Sequence, residues 1–353
     1  MRRRLAFLTL AALFAGALTA SAEAQTTVKI GWCARTVSAA AAPFAIATKM
    51  GWFQQAGFKV ELVPLPGSTD CVKFVGTGEL PYSLPSVEPL ASLRPQGVKA
   101  KVFYTAYQGN IYGPAVPEDS PIKTLADLKG KRIGVQSMAS AGVPVIRAIA
   151  ASQGLDPDTD ISIIVVGEGA QAAGLLRSKQ VDALSLYDVQ YAIIGNAGVP
   201  LRRIEAKAID RFPSNGFIAL DETLAKDRAQ SVALAQGYAK GTIFAITNPE
   251  AAVRILWEVF PQTQPTGKDE ATALRDDVRV LQARIVNWGL EKAGVGNWGV
   301  NSIDNYDAYL DFLLKWGVIK QKPDVHDIVT NDLMAEIDAF DPAAIEAQAK
   351  AYK

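Results

Sequence analysis

Between Thr27 and about Leu220, short runs of β-branched and aliphatic residues alternate with stretches of helical periodicity. No other feature narrows the fold so far, because a pattern that keeps switching between a period of two and one of 3.6 belongs to α/β architecture. Strands are predicted over 28–30, 59–63, 80–84 and 100–107, with helices over 39–50, from about Ser68, and over 87–93. After Gly113-Pro114 the pattern restarts. Strands follow at 132–135, 161–166 and 181–186, and helices at 142–153, 170–178 and 189–197. From Asp221 to Lys353 the chain reads as mostly helical, broken at 261–267 and 294–299.

The two halves echo each other. The helix-strand-helix segment 68–93 lies over 169–194 at a constant offset of 101 residues, so that Ser86-Val87 faces Tyr187-Asp188. Two similar α/β lobes place the loops at their strand ends around a shared crevice. Ligands of open α/β sheets bind at such strand ends and at the N-termini of the helices that follow. A crevice between lobes is also the geometry of hinge-closing proteins.

The N-terminus sets the compartment. Arg2, Arg3 and Arg4 precede an apolar run from Leu5 to Ala20, and Ala22-Glu23-Ala24 supplies small residues where a signal peptidase cuts. Sixteen residues make a helix of roughly 24 Å, short of a ~30 Å hydrocarbon core. Residues 1–24 therefore read as a signal peptide cleaved after Ala24, leaving an exported chain with no later span. Lys and Arg number 36 and Asp and Glu 36, a balance that gives no electrostatic reason to expect nucleic acid or an anionic membrane surface as partner.

One histidine, His326, and two cysteines, Cys33 and Cys71, exclude most transition-metal sites and most nucleophile–histidine machinery. No Gly-x-Ser-x-Gly elbow and no His-Glu-x-x-His occurs. His326 follows Pro323 in the helical C-terminal region and reads as structural or exposed. The carboxylates show no paired spacing that favours glycosidic acid/base work over solvated faces. The expectation is a binding protein without catalytic residue, cofactor or metal.

Ile122-Lys123-Thr124-Leu125-Ala126-Asp127-Leu128-Lys129-Gly130-Lys131-Arg132-Ile133-Gly134-Val135 resembles the start of the second lobe in type II periplasmic binding proteins. Met50-Gly51-Trp52-Phe53-Gln54-Gln55-Ala56-Gly57-Phe58-Lys59-Val60 and Val181-Asp182-Ala183-Leu184-Ser185-Leu186-Tyr187-Asp188 resemble its nitrate/sulfonate/taurine and thiamine-precursor branch. The chain departs from that pattern at Val189, where a proline is usual, and at Cys33. The resemblance implies two Rossmann-like lobes joined by two crossing strands near 104–113 and 212–220, with the C-terminal helices packed mainly on the first lobe. The division expected is 25–108 and 217–353 for lobe 1 and 109–216 for lobe 2. It also implies a monomer in the periplasm that passes a small organic anion or zwitterion to an ABC permease driven by a separate ATPase. A thiamine-precursor pyrimidine or aromatic acid is the alternative ligand, favoured if Trp32, Tyr107 and Tyr187 stack on a ring. A receptor feeding a signalling partner is the alternative role. One relative in this branch makes a thiamine pyrimidine by consuming its own histidine, and no crevice loop here carries one.

Within that frame, Arg35 and Ser38 follow the first strand, a cation and a hydroxyl where a ligand anion would meet a helix start. Ser68, Thr69 and Ser86 sit at the equivalent turns of the same lobe, where each equally suits a helix cap. In the second lobe the turn holding Met138 and Ser140 offers small residues and backbone N–H groups to a ligand oxygen. Gly167-Glu168-Gly169 repeats the arrangement, but Glu168 would repel an anion. Gln108, Tyr187 and Asn215, with Tyr107, complete the predicted rim, although Trp32 and the tyrosines equally suit lobe packing. Cys33 and Cys71 lie at the ends of strands that parallel topology makes neighbours, so a disulfide is expected. Asp188 has two readings: it caps the helix after it, or it holds a ligand ammonium. Asp188→Asn would separate them while leaving folding nearly intact, since Asn caps about as well as Asp.

Overall fold

The computed structural model describes residues 25–353; the expected signal peptide over 1–24 lies outside the described residues, as does the side chain of Lys292. The described strands are β1 (Thr26–Trp32), β2 (Phe58–Pro64), β3 (Tyr82–Ser83), β4 (Ala100–Thr105), β5 (Tyr112–Pro117), β6 (Lys131–Val135), β7 (Ile161–Val165), β8 (Ala183–Tyr187), β9 (Leu201–Arg203) and β10 (Gly216–Leu220). They form two five-stranded sheets ordered β2-β1-β3-β10-β4 and β7-β6-β8-β5-β9.

The sheets are built alike. In each, a central strand, β1 or β6, pairs in parallel with two neighbours, and a strand entering from the other lobe, β10 or β5, pairs antiparallel beside them. The echo at 101 residues has a structural counterpart: the helices Ser68–Gly76 and Gly169–Arg177 start 101 positions apart, as do Val87–Leu93 and Asp188–Asn196. The chain passes from the first sheet to the second at 106–111 and returns at 204–215.

Three local differences from the sequence pattern have physical causes. β3 is shorter than the apolar run around it because Pro81 and Pro85 bracket it and lack the N–H a ladder needs. β9 carries no alternation long enough to be read, and it forms because β5 offers it an edge. The helix Glu270–Trp288 does not stay with the first lobe. It packs on Pro249–Val259 and on Asp188–Asn196 alike, with Asn196 Nδ2 donating to the Asp276 carbonyl at 3.0 Å.

Candidate ligand-binding cleft

Strand ends and crossings converge between the lobes. β1 ends in Trp32 and leads into the loop carrying Ser38; β8 ends in Tyr187; the crossings deliver Tyr107 and Asn215 and β5 begins at Tyr112; and the helix Glu270–Trp288 contributes Arg284. Together they line a narrow cleft between the lobes, part of it open to solvent. The aromatic walls are held in place. Trp32 Nε1 donates to the Thr36 carbonyl at 2.8 Å, and Tyr112 and Tyr187 meet edge to face at 6.0 Å. Burial pushes the Tyr107 and Tyr187 phenols above their ordinary pKa, so at neutral pH they are uncharged hydrogen-bonding groups.

At the base of the cleft lies a buried ion pair. Arg284 Nε donates to both Asp188 oxygens at 3.1 and 2.9 Å, and Nη2 donates to Oδ1 at 2.6 Å. Asn287 Nδ2 donates to Oδ2 at 2.9 Å, and the guanidinium carbon stands 3.9 Å from the Tyr107 ring centroid. The side chains of Arg284 and Asp188 are only 2% and 5% exposed. Burial lowers the Arg284 pKa, but Asp188 beside it outweighs that and holds it above the usual arginine value. The pair is bidentate and self-neutralising.

This geometry revises both readings of Asp188. The helix begins at Asp188 itself, with Tyr187 as N-cap, and the Asp188 carboxylate serves the helix start from inside the first turn, Oδ1 accepting the Val189 N–H at 2.7 Å. Its carboxylate is engaged by Arg284 and Asn287 as well and is not free for a ligand ammonium. Arg284, which sequence reasoning passed over, sits in the pocket wall instead. The only signal for it was a charged residue directly before Ile285-Val286, with Asn287 three positions on, and many surface helices show that pattern.

Of the other expected site residues, Ser38, Tyr187 and Asn215 line the cleft. Arg35 is exposed at the lip, outside the pocket, and Met138 points outward at 60% exposure. Gln108 is buried and turned to the C-terminal segment, donating to the Val300 carbonyl at 3.0 Å. Ser68 lies beneath the wall and accepts the Ser86 N–H at 3.2 Å; neither caps its helix by its side chain. Ser140 Oγ accepts the Gly142 N–H at 3.1 Å, and Thr69 meets the second lobe through its backbone. Cys33 and Cys71 form a disulfide with Cα atoms 5.9 Å apart.

At the mouth the lobes touch through two lips of the first lobe. The Arg35 N–H donates to Glu168 Oε1 at 2.9 Å and Thr36 Oγ1 donates to Oε2. Ser137 Oγ donates to the Pro66 carbonyl at 2.8 Å, and the Thr69 N–H donates to the Ala139 carbonyl at 3.1 Å. Among the described residues no cluster of three or more His, Cys, Asp or Glu side chains is placed to hold a metal, and no helix is long and apolar enough to cross a membrane.

Residues 38–252 match the family model described as NMT1/THI5 like. A Brucella abortus protein named as a binding protein is 27% identical over 217 residues, 60% of this chain, and the match spans 65% of that relative's length. Among solved structures, a Bordetella bronchiseptica protein superposes with a TM-score of 0.68 at 22% identity, covering 88% of this chain and 96% of its own. The periplasmic nitrate-binding protein NrtA from Synechocystis gives 0.65 at 16% identity over 93% and 98% of the two chains. The alkanesulfonate-binding protein SsuA from Xanthomonas axonopodis, bound to MOPS, gives 0.64 at 17% over 86% and 98%. At these identities the likeness is one of fold, that of type II periplasmic binding proteins.

Proposed function

The chain belongs to the NMT1/THI5-like family, and from that premise we propose that it is the periplasmic solute-binding component of an ABC-type importer, enclosing one small ligand between its lobes. Lobe 2 (109–216) closes on lobe 1 (25–108 with 217–353), and the loaded monomer delivers its cargo to a permease served by a separate ATPase. It performs no chemistry and carries no cofactor. The cleft offers uncharged phenols, a hydroxyl, an amide and an already paired guanidinium, with its one lining cysteine in a disulfide.

One observation carries the ligand class: Trp32, Tyr107, Tyr112 and Tyr187 gather around a pocket whose one lining cation is already neutralised by Asp188. Aromatic faces favour a planar ring. A paired guanidinium favours a polar or weakly anionic edge over a compact, strongly charged anion, which would lose its hydration without gaining an unpaired cation. The ligand is therefore a ring compound, a pyrimidine of the thiamine-precursor kind or an aromatic acid. The sulfonate, taurine or nitrate reading is favoured by the neighbours that bind alkanesulfonate and nitrate.

Calorimetry with an aminopyrimidine, benzoate, taurine and nitrate separates the two. A ring compound should bind saturably at one site and be recovered unchanged, with Trp32→Ala weakening it by about 1 kcal/mol, the scale of an aromatic contact. Saturable binding of taurine or nitrate alone would overturn the ring assignment. Turnover of any of them would overturn the binding-protein reading itself.

A further inference from the structure

We infer that the cleft mouth carries a clasp which holds the lobes together without touching the solute, with Glu168 and Gly67 as its two determining residues. Neither lines the pocket, and every contact the clasp makes is between protein groups. Glu168 in particular would repel a ligand anion if it faced one. Its carboxylate instead receives the Arg35 N–H at 2.9 Å and the Thr36 hydroxyl from the opposite lobe, while Gln136 Nε2 of its own lobe steadies it at 2.5 Å. A carboxylate accepting several donors is a strong, directional grip.

Gly67 explains the second lip. Its backbone is extended, with φ 171° and ψ −176°, a conformation any residue adopts. Glycine is required by the approach of the other lobe: a Cβ there would stand 2.5 Å from the Ala139 carbonyl oxygen and 2.7 Å from the Ser140 nitrogen. Both are backbone atoms, so no rotamer change relieves the clash. The clash exists only when the lobes meet, which makes Gly67 a residue of the closed arrangement rather than of lobe 1 itself. The Cys33–Cys71 disulfide joins the two lips, so the Glu168 grip and the Gly67 contact open as one body.

The two cross-lobe amides, those of Arg35 and Thr69, report the clasp directly. Hydrogen–deuterium exchange on the purified oxidised protein, with no solute added, should find both protected. Glu168→Ala should speed exchange of Arg35 and, through the disulfide, of Thr69 by about tenfold, the scale of one charge-assisted hydrogen bond. Gly67→Ala should speed both amides by at least that factor and raise the radius of gyration in small-angle scattering. Unchanged exchange in β1 and β6 shows that the variants remain folded. The inference is overturned if Arg35 and Thr69 exchange at the unprotected rate in the parent, or if both variants leave them as they were. No solute enters the experiment, so its failure would leave the solute-binding assignment to be judged by calorimetry.

Discussion

The lobes meet at two places, and the two are built differently. At the mouth the contacts are backbone amides, hydroxyls and one partly exposed carboxylate, with Arg35 and Thr36 exposed and Ser137 buried. At the base the contact is a buried Asp188–Arg284 pair, extended by Asn287, whose carbonyl also accepts the Gly109 N–H at 3.0 Å on the crossing segment. Each bond at the mouth joins at least one uncharged group and can be lost singly, so breaking it costs on the scale of one hydrogen bond. Separating the base pair would leave two charges in an apolar setting, which costs far more than their attraction contributes when intact. One face of the interface is built to part and the other to stay.

The largest effect should come from breaking the base. Asp188→Asn leaves Arg284 uncompensated and should destabilise the protein by roughly 3–5 kcal/mol in denaturant unfolding. This replaces the near-neutral result that a capping role alone would give. Replacing both partners, Asp188→Asn with Arg284→Met, should recover most of the loss. A comparable change at the mouth, Glu168→Ala, should cost only about 1.4 kcal/mol, the free energy of a tenfold change in opening. Equal losses at the two sites would erase the distinction.

The disulfide comes next. It spans 38 positions and ties the two lips, so Cys33→Ser with Cys71→Ser should cost roughly 3–4 kcal/mol on a chain-entropy scale. The same double variant should uncouple the lips, letting Glu168→Ala free Arg35 without freeing Thr69 in exchange measurements. Continued joint opening would show that packing, not the bond, links them.

The two regions also differ in how far sequence revealed them. The lips were legible: Cys33, Ser38, Ser68 and Glu168 stand at strand ends that period switching locates to within a residue or two, and the 101-residue echo aligns the lobes before any contact is known. The base was not. Asp188 was visible at a strand end, but its partner lies 96 positions away in a helix that also carries Arg275 and Arg279, and nothing in the local pattern marks which arginine is buried. Gly67 was hidden for a related reason. Beside Pro66 it reads as an ordinary turn, and only the closed lobes show that Ala139 needs the space. Periodicity records which face of an element is buried, not what a second lobe brings against it.

A smaller, pH-dependent effect comes from a second buried carboxyl, on the helix Val87–Leu93. Glu88 is 1% exposed, burial raises its carboxyl pKa, and Tyr309 donates to it. With the folded pKa above the unfolded value, the folded state retains the proton. Its stabilising contribution is therefore complete below the ordinary carboxylate pKa of about 4.3 and is lost as pH rises through the raised folded value. Glu88→Gln, which cannot ionise, should flatten that decline in unfolding free energy on the alkaline side. A parent profile with no such decline, or the same decline in the variant, would contradict it.

Distances between nitroxide labels test the central claim most directly. One pair crosses the mouth, on the exposed Lys73→Cys and Met138→Cys, and the other crosses the base, on Gly195→Cys, where a Cβ meets open space, and the exposed Val286→Cys. Each pair is measured in the parent background and with Gly67→Ala. The account predicts that Gly67→Ala lengthens and broadens the mouth distance while the base distance stays single and unchanged. A base distance that lengthens with the mouth, or a mouth distance that does not move, would contradict it.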